Sequence, residues 1–349
     1  MTSTSQVQET VDLASTLLGE PLVLVGEPLP SGSRHLVLRL RRSSADAGTV
    51  VAKRRLVSEP SPEVAALEAF SSVGSPVAPT LVAHSAGLLV MSDLGDHPHL
   101  ASQMLTGDPL LTRRAVLAWV TGLARFHRAG LEARAGAPDS LADYMPGLLD
   151  EAAVDLVTQA ADLGIDVRHG FAELRDVTDS FETPLEVLSA GDMCPDNNLL
   201  TDDGAFFLDL EFATIRHLAW DLAYLLVPWP SCWCAWRLPP GLGWSALERW
   251  RQVFECDEGL WRAVRNDVEV AADAWRWLSI SWLLPTLSTG WPERADRPAP
   301  PVPDRIVHSL DALTRSNAFP QWRSTAVQLA DAITGRFPVA PLPVVGSRS

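Results

Sequence analysis

Short apolar and alternating segments dominate the first quarter of the chain, and turn-rich segments separate them. This alternation predicts five strands, of which the first three form an antiparallel meander: Leu22–Val25, His35–Arg42, Thr49–Leu56, Leu81–Ala83 and Leu88–Met91. Helices are predicted over 9–19 and over Glu63–Val73, where Pro62 takes the first-turn position that proline favours. The first part of the chain, to about Leu94, therefore predicts a small, mostly antiparallel sheet unit.

Beyond Leu94 the apolar positions recur mainly with helical spacing. Helices are predicted over Arg113–Ala129, 146–180, 217–227, 244–256, 259–284 and 304–335. Between the second and third of these, a strand–loop–strand–turn–strand pattern covers Leu185–Leu188, Asn198–Leu200 and Phe206–Leu210. The pattern as a whole predicts an α+β chain with a sheet-rich first part and a larger helical second part.

The charge balance excludes several classes of partner. The 349-residue chain has 28 basic and 43 acidic residues, a net charge of −15, which argues against binding to nucleic acid or an anionic membrane. No apolar run reaches the roughly 18 residues of a membrane span, and the first residues lack the pattern of a signal peptide. We therefore predict a cytoplasmic protein.

The four cysteines are too few for a disulfide scaffold, and we expect them to be reduced. They are Cys194, Cys232, Cys234 and Cys256. The Cys232-x-Cys234 pair has two interpretations, a metal site or two core cysteines. Core cysteines are the better supported, because two thiols with no second pair make a poor zinc site.

Lys53 is the only lysine among the 28 basic residues. A general preference for arginine would explain a low lysine count without any function. A lysine nevertheless supplies a compact point charge that the broad guanidinium group of arginine cannot imitate. Lys53 is therefore a candidate for a functional role.

Asp192, Asn197 and Asp209 follow a spacing of five and twelve residues, with the first two in a loop and the third at the end of a hairpin. Phosphoryl transfer needs such groups, because the protein must position the acceptor hydroxyl and neutralise phosphate charge. One carboxylate orients the hydroxyl and takes its proton, while a second carboxylate and an amide oxygen suit Mg²⁺. A lysine held by a helix glutamate pairs with phosphate oxygens, and Lys53 and Glu63 are placed for this.

Seven segments together resemble the aminoglycoside phosphotransferase and choline kinase-like superfamily. They are the catalytic loop Ala190-Gly191-Asp192-Met193-Cys194-Pro195-Asp196-Asn197, the strand Phe207-Leu208-Asp209-Leu210-Glu211, Asp221-Leu222-Ala223, the lysine strand Val51-Ala52-Lys53, the glutamate helix Glu63-Val64-Ala65-Ala66-Leu67, the linker Leu89-Val90-Met91-Ser92-Asp93-Leu94-Gly95, and Leu123-Ala124-Arg125-Phe126-His127. The resemblance covers roughly residues 20–230. No Gly-x-x-x-x-Gly-Lys-Ser/Thr motif is present, so a P-loop kinase is excluded.

The resemblance implies a two-lobed protein-kinase-like fold, with a nucleotide-binding lobe over 1–94 and a catalytic and substrate-binding lobe over 95–349. It implies ATP or GTP and Mg²⁺ as cofactors, with Asp192 as the catalytic base and Asn197 and Asp209 as metal ligands. Nucleotide contacts are expected at Lys53, Glu63, Ser31, Gly32, Ser33, Met91 and Asp93. Glu68 is an alternative partner for the lysine, Asp221 is expected to organise the catalytic loop, and His127 is expected in the core.

These residues favour an ATP- and Mg²⁺-dependent O-phosphotransferase. By resemblance, the acceptor is a hydroxyl of a small molecule such as an antibiotic or another natural product. Ala190 replaces the histidine of the family motif, which leaves a nucleotide-binding protein without catalysis as one alternative. A kinase acting on a Ser or Thr of a precursor peptide is the other.

Two compositional features bear on the acceptor. The segment 139–190 has 12 acidic residues and two arginines, and 11 of the 13 tryptophans lie between Trp220 and Trp291. One interpretation is a cleft for a cationic acceptor, with acidic and aromatic walls. The other is a solvated acidic helical face and a bulky helical core.

Overall fold

The structure, a computed structural model, describes residues 4–31, 34–43, 48–57, 61–167, 171–230, 232–290 and 298–346. The first part contains α1 (Thr4–Leu18), β1 (Leu22–Leu24), β2 (His35–Arg42), β3 (Thr49–Arg55), α2 (Glu63–Ser72), β4 (Leu81–Ser85) and β5 (Leu88–Ser92). The five strands form one antiparallel sheet in the order β1-β2-β3-β5-β4. The predicted sheet unit and its antiparallel meander are confirmed.

The alternation of side chains along β3 places Lys53 on one particular face of this sheet. Ala52 belongs to an apolar cluster with Val11 and Ala14 of α1. Because successive residues of a strand point to opposite faces, Lys53 lies on the other face, together with its cross-strand partner Leu89. Leu89 belongs to the larger core that α2 also joins. The strand therefore holds Lys53 on the α2 face of the sheet.

The second part is largely helical. It contains α3 (Leu100–Met104), α4 (Pro109–Ala133), α5 (Met145–Asp162), β6 (Glu186–Ser189), β7 (Asn198–Thr201), β8 (Gly204–Phe207), β9 (Thr214–His217), α6 (Ala219–Leu222), α7 (Leu242–Phe254), α8 (Glu258–Leu283), α9 (Val302–Leu313) and α10 (Arg323–Thr334). Strand β6 pairs with β9, and β7 pairs with β8. Among the described residues, no helix is long and apolar enough to cross a membrane.

The fold is that of the protein kinases, an N-terminal five-stranded antiparallel sheet followed by a largely helical region. The two parts share one core, in which the rings of Phe70 and Phe126 lie 4.6 Å apart. The backbone N–H of Phe207 donates to the Val77 carbonyl at 3.0 Å. The hydrogen bond joins β8 to the segment between α2 and β4, and the ring contact joins α2 to α4. A boundary between lobes at residue 94 stays a prediction.

Three predicted helices are wrong in extent. The helix predicted over 146–180 ends at Asp162, because Gly164 takes φ +81° and the Ile165 N–H turns back to the Ala160 carbonyl. The helix predicted over 304–335 is two helices, α9 and α10, interrupted before Pro320. The helix predicted over 217–227 is preceded by strand β9, which the sequence pattern did not indicate.

Candidate active site

A buried ion-pair cluster joins Lys53 to two carboxylates. The Lys53 Nζ lies 2.8 and 2.7 Å from the two carboxylate oxygens of Glu63 and 2.8 Å from Asp209 Oδ1. Glu63 is the first residue of α2 and is completely buried. Glu68, the alternative partner, is mostly exposed and lies 3.7 Å from His84. The structure thus pairs the single lysine with Glu63 and with the second predicted carboxylate, Asp209.

The charges of this cluster keep Lys53 protonated. Burial opposes the ammonium charge, but the carboxylates of Asp209 and Glu63 outweigh burial and raise the pKa of Lys53 above its ordinary value. Asp209 is the open member of the cluster, since 31% of its side chain is exposed while Glu63 is closed off. Burial raises the pKa of the Glu63 carboxyl, and Asp209 is the carboxylate of the cluster that faces solvent.

The loop between β6 and β7 carries Asp192 and Asn197. It begins at Gly191, where φ is +80° and a Cβ would meet the Phe212 carbonyl oxygen at 1.8 Å, so only glycine permits this approach. Asp192 Oδ1 accepts the backbone N–H of Cys194 at 3.2 Å, and Oδ2 accepts Asn197 Nδ2 at 3.3 Å. The two predicted functional side chains of the loop are therefore in contact.

The β7–β8 hairpin brings Asn197 to the segment that carries Asp209. Asn198 is paired with Phe207 across the hairpin. One step further, the Leu208 N–H donates to the Asn197 carbonyl at 3.1 Å. Asn197 immediately precedes β7 and Asp209 follows β8, so the two residues lie at the same end of the hairpin. The twelve-residue spacing between them is the length that this turn requires.

Beneath the loop, Asp221 is the centre of a buried hydrogen-bond network. Ser189 Oγ donates to Asp221 Oδ1 at 2.9 Å and accepts the Gly191 N–H at 3.0 Å. Arg216 donates from Nε to Asp221 Oδ1 at 3.1 Å and from Nη2 to the Gly191 carbonyl at 2.8 Å. Both polar groups of Gly191, the residue before Asp192, are therefore held by this network. The prediction that Asp221 organises the catalytic loop is consistent with these contacts.

His127 completes the network from the opposite side of Asp221. The indole N–H of Trp250 donates to His127 Nδ1 at 3.1 Å, so the ring proton is on Nε2, which donates to Asp221 Oδ2 at 3.0 Å. Burial favours the neutral acid, but Arg216 and His127 outweigh it and lower the pKa of Asp221 below its usual range. His127 is fully buried, as expected of a core histidine.

Arg216 and Ser189 are site residues that the sequence analysis missed. The signal for Arg216 was its position at the end of an apolar run, Phe212-Ala213-Thr214-Ile215, where an arginine is fully buried only when it is paired. Ala190, which replaces the family histidine, is buried in the core beside these residues. The backbone of Gly191 is nevertheless fixed, because Arg216 and Ser189 supply the hydrogen bonds.

The other predicted nucleotide contacts lie around the sheet. Asp93 Oδ2 accepts Thr49 Oγ1 at 2.6 Å and lies 2.7 Å from Arg39 Nε. Its carboxylate therefore ties three strands together. Met91 is buried in β5, and Ser31 Oγ donates to the His35 carbonyl at 2.9 Å. Gly32 and Ser33 lie outside the described residues.

Glu211 links the start of β2 to the catalytic region. Arg34 Nη2 donates to Glu211 Oε1 at 2.6 Å, and His35 Nε2 lies 3.5 Å from Oε2. The Arg34 guanidinium also lies 5.3 Å from the centre of the Phe212 ring. Burial and the Asp209 carboxylate raise the pKa of Glu211. Glu211 was part of the quoted strand motif, but the sequence analysis gave it no role.

The acidic segment 139–190 is mainly a solvated surface. Asp143 is the half-buried exception, while its other acidic residues are exposed. The tryptophans mainly form core: of the ten described between Trp220 and Trp282, only Trp244 and Trp282 are exposed, each by 38%. The interpretation of two facing acidic and aromatic walls is therefore not supported by these positions.

Three cysteines meet beside the catalytic loop. Cys194 and Cys232 form a disulfide, with their Cα atoms 5.8 Å apart, and Cys234 keeps its thiol nearby. The expectation that all four cysteines are reduced is wrong for this pair. Spacing alone did not reveal it, because 38 residues separate Cys194 from Cys232 and the pairing depends on the fold.

Comparison with known proteins identifies the family. Residues 27–240 match the profile of the phosphotransferase enzyme family (APH). The chain belongs to this family. It is therefore a phosphotransferase, and membership implies ATP-dependent transfer to a small-molecule acceptor. No curated protein matches the chain in sequence.

Solved structures show the same fold at low sequence identity. A choline/ethanolamine kinase family protein from Mesorhizobium loti has a TM-score of 0.57 and 16% identity, over 93% of this chain and 99% of that chain. The ethanolamine kinase Pv091845 of Plasmodium vivax has a TM-score of 0.53 and 12% identity, over 90% of this chain and 86% of that chain. A ternary complex of APH(2″)-IIa with streptomycin and ATP has a TM-score of 0.50 and 10% sequence identity, over 91% of this chain and 98% of that chain.

Proposed function

We propose that this phosphotransferase moves the γ-phosphoryl group of Mg·ATP to a hydroxyl of a small, cationic natural product such as an antibiotic. The acceptor oxygen forms the new bond to phosphorus, the bond from phosphorus to the β,γ-bridging oxygen breaks, and ADP leaves. The observation that carries the proposal is the Lys53–Asp209 contact of 2.8 Å, which joins the lysine strand to the hairpin that also delivers Asn197.

Asp192 is the proposed base that receives the hydroxyl proton. Its backbone is fixed on one side by the bonds to Gly191 and on the other by the turn that the Asn197 N–H closes to the Cys194 carbonyl at 2.9 Å. A carboxylate held in this way orients the acceptor without a large loss of side-chain freedom. Asn197 Nδ2 donates to one carboxylate oxygen of Asp192. The other polar atom of that amide group, the Asn197 oxygen, is therefore directed away from Asp192.

The donor set near Asp209 fits Mg²⁺. This ion prefers hard oxygen ligands and holds one or two carboxylates together with substrate phosphates. Asp209 offers a partly exposed carboxylate, and the amide oxygen of Asn197 lies at the same end of the hairpin. When bound, Mg²⁺ neutralises charge on the transferred phosphoryl group. Lys53, which Asp209 and Glu63 keep protonated, is then the proposed partner of the nucleotide phosphates.

The preference for a cationic acceptor rests on groups beside Asp192 rather than on the acidic surface. The carboxylates of Asp209 and Asp192 lie close enough to Glu211, which is ion-paired with Arg34 at 2.6 Å, to add to the effect of burial in raising its pKa. The hydroxyl of Tyr144 lies 2.8 Å from the point where a Cβ on Gly191 would stand, so this ring also borders the loop. The exposed ring of Phe212 offers an aromatic surface next to these carboxylates. Negative charge and an aromatic ring favour an ammonium or guanidinium group.

A nucleotide-consumption screen tests the proposal. The purified protein is supplied with Mg·ATP and, separately, with cationic antibiotics, neutral macrolides, sugars, choline, ethanolamine and Ser/Thr peptides, with Asp192→Asn as control. We expect acceptor-dependent ADP release with a cationic compound, and none with the control. For that acceptor, kcat/KM should fall as salt rises from 0.1 M to 1 M, because the Debye length shrinks from about 10 Å to about 3 Å.

The screen also separates the alternatives. Turnover only with peptides would replace the small-molecule acceptor by a Ser or Thr side chain. Turnover with a neutral acceptor would remove the cationic preference and leave phosphotransfer in place. Nucleotide binding without turnover on any acceptor would favour a catalytically silent protein. The brace that Arg216 gives to Gly191 argues against that outcome, since the loop is fixed without the family histidine.

A further inference from the structure

The disulfide beside the catalytic loop is part of a larger group of ligand atoms. Cys194 and Asp196 come from the loop, and Cys232 and Cys234 come from the segment after α6. One ligand atom from each of these four residues lies within 4.8 Å of all the others. The three cysteines are buried and Asp196 is half-buried. We refer to these four residues as the thiol cluster.

The disulfide uses only half of the thiol cluster. It joins Cys194 to Cys232, while the Cys234 sulfur and the Asp196 carboxylate stand within the same 4.8 Å. Three sulfurs and one carboxylate oxygen form a four-atom set, and four-coordinate binding by thiolate and carboxylate is the usual arrangement for Zn²⁺. Zinc holds such ligands at about 2.0–2.3 Å, so its ligand atoms stand about 3.5–3.8 Å from one another. The cluster is therefore compact enough.

Hydrogen bonds from neighbouring groups reach both a sulfur atom and the carboxylate of the cluster. The Cys234 N–H donates to Cys232 Sγ at 3.4 Å, and the Trp233 indole N–H donates to Asp196 Oδ2 at 2.9 Å. A hydrogen bond to a ligating carboxylate is how proteins fix such a ligand. Arg305 is buried and donates to the Cys232 carbonyl at 3.0 Å, and its charge interacts with Cys234.

We propose that the reduced thiol cluster binds one Zn²⁺ ion through Cys194, Cys232, Cys234 and Asp196. A dithiol reductant converts the disulfide to two thiols and is itself oxidised to a disulfide. The three thiols then release three protons as they bind the metal. Zn²⁺ with three thiolates and one carboxylate has a net charge of −2, and the buried Arg305 offsets part of it. The site is distinct from the proposed Mg²⁺ ligands and does not depend on phosphotransfer.

Zinc bound here would hold the catalytic loop to the segment after α6. Cys194 lies two residues after Asp192, and Asp196 is the residue before Asn197. The proposed base and the proposed Mg²⁺ ligand of the loop therefore each lie within two residues of a proposed zinc ligand. The metal would fix the loop from outside, while Arg216 and Asp221 fix it from beneath.

Titration of the wild-type protein with Co²⁺ tests the site directly. The protein is reduced with a phosphine, freed of metal and phosphine, checked for four free thiols by alkylation and mass spectrometry, and titrated without oxygen. Tetrahedral thiolate-bound Co²⁺ has intense visible and near-ultraviolet bands. We expect these bands to saturate at one equivalent and to disappear when Zn²⁺ is added. Fully reduced protein without these bands would show that the three thiols and Asp196 do not bind the metal, and would overturn the proposal.

Matched variants locate the site. Cys234→Ser keeps both disulfide cysteines and should lose the tetrahedral spectrum, whereas Cys256→Ser, another buried thiol outside the cluster, should keep it. Trp233→Phe, which removes the donor to Asp196, should weaken the metal affinity about 10–100-fold. Wild-type affinity in Cys234→Ser would contradict the assignment. If that variant does not fold, the wild-type titration and Trp233→Phe still decide.

Discussion

Replacement of Arg216 by Met tests whether the buried network fixes the catalytic loop. The wild-type side chain is fully buried and hydrogen-bonds both Asp221 and the Gly191 carbonyl. Methionine fills a similar volume but leaves the Asp221 carboxylate buried without its main cation. Removal of one partner of a buried ion pair costs about 3–5 kcal/mol of unfolding free energy. We expect a loss in this range for Arg216→Met.

The matched control is Arg134→Ala, at an exposed ion pair. Arg134 lies 3.0 Å from Glu186 of β6, the strand that pairs with the strand of Arg216, and both side chains are more than 40% exposed. Exposed pairs contribute about 0–1 kcal/mol. Urea unfolding followed by tryptophan fluorescence compares the two variants. Equal and small losses would refute the importance of the buried network.

The double variant Arg216→Met/Asp221→Asn separates the unpaired charge from the lost packing. It should be more stable than Arg216→Met alone, because no uncompensated carboxylate stays buried. The pH dependence gives a second check. The native pKa of Asp221 is lowered, so its stabilisation is present at neutral pH and is lost as pH falls through that pKa. In Arg216→Met the carboxyl binds a proton more readily, so the stability difference from wild type should narrow toward pH 4.

Three further predictions concern the proposed roles in phosphotransfer. Asp192→Asn should keep the fold and nucleotide binding but lower turnover by a factor on the order of 10²–10⁴, and turnover within a few-fold of wild type would contradict the role of the base. Asp209→Ala should weaken nucleotide binding in calorimetry only when Mg²⁺ is present, with Asn197→Ala showing the same dependence; identical affinities would count against both ligands. Amine labelling of Lys53, followed by mass spectrometry, should be more than ~10-fold slower in the folded than in the unfolded chain, because only the neutral amine reacts and the pKa of Lys53 is raised. Mg·ATP should slow the labelling further. Equal labelling rates in the folded and unfolded chains would argue against the burial and pairing of Lys53.

Local patterns predicted the sheet and the residues around phosphate because those signals are short in sequence. Alternation placed Lys53 on a strand, and Pro62 marked the start of the helix that carries Glu63. The five- and twelve-residue spacings correspond to one loop and one hairpin, so residues near in sequence are also near in space. The resemblance then supplied the roles.

The network beneath the loop could not be predicted in this way. Arg216 reaches Gly191 only because β9 pairs with β6, and that strand was not apparent in a four-residue segment beside a helical pattern. The Cys194–Cys232 pair likewise depends on where the segment after α6 returns to the loop. The acidic segment after residue 145 had helical composition, but composition does not say which face is solvated, and Gly164 ended the helix. Long-range pairing decided each of these.

The arrangement divides the site into a part fixed by the fold and a part open to variation. The Asp192 loop is held from beneath by Arg216 and at its far end by Asn198, whose amide donates to the Pro195 carbonyl at 3.0 Å. These contacts fix the loop that carries the proposed base, and a phosphotransferase needs that base whatever acceptor it uses. Tyr144 and Phe212 border the loop at Gly191, and Glu211 precedes Phe212 in the chain. We expect exchange of these side chains to change the acceptor while the hydrogen bonds of Arg216 to Asp221 and Gly191 stay in place.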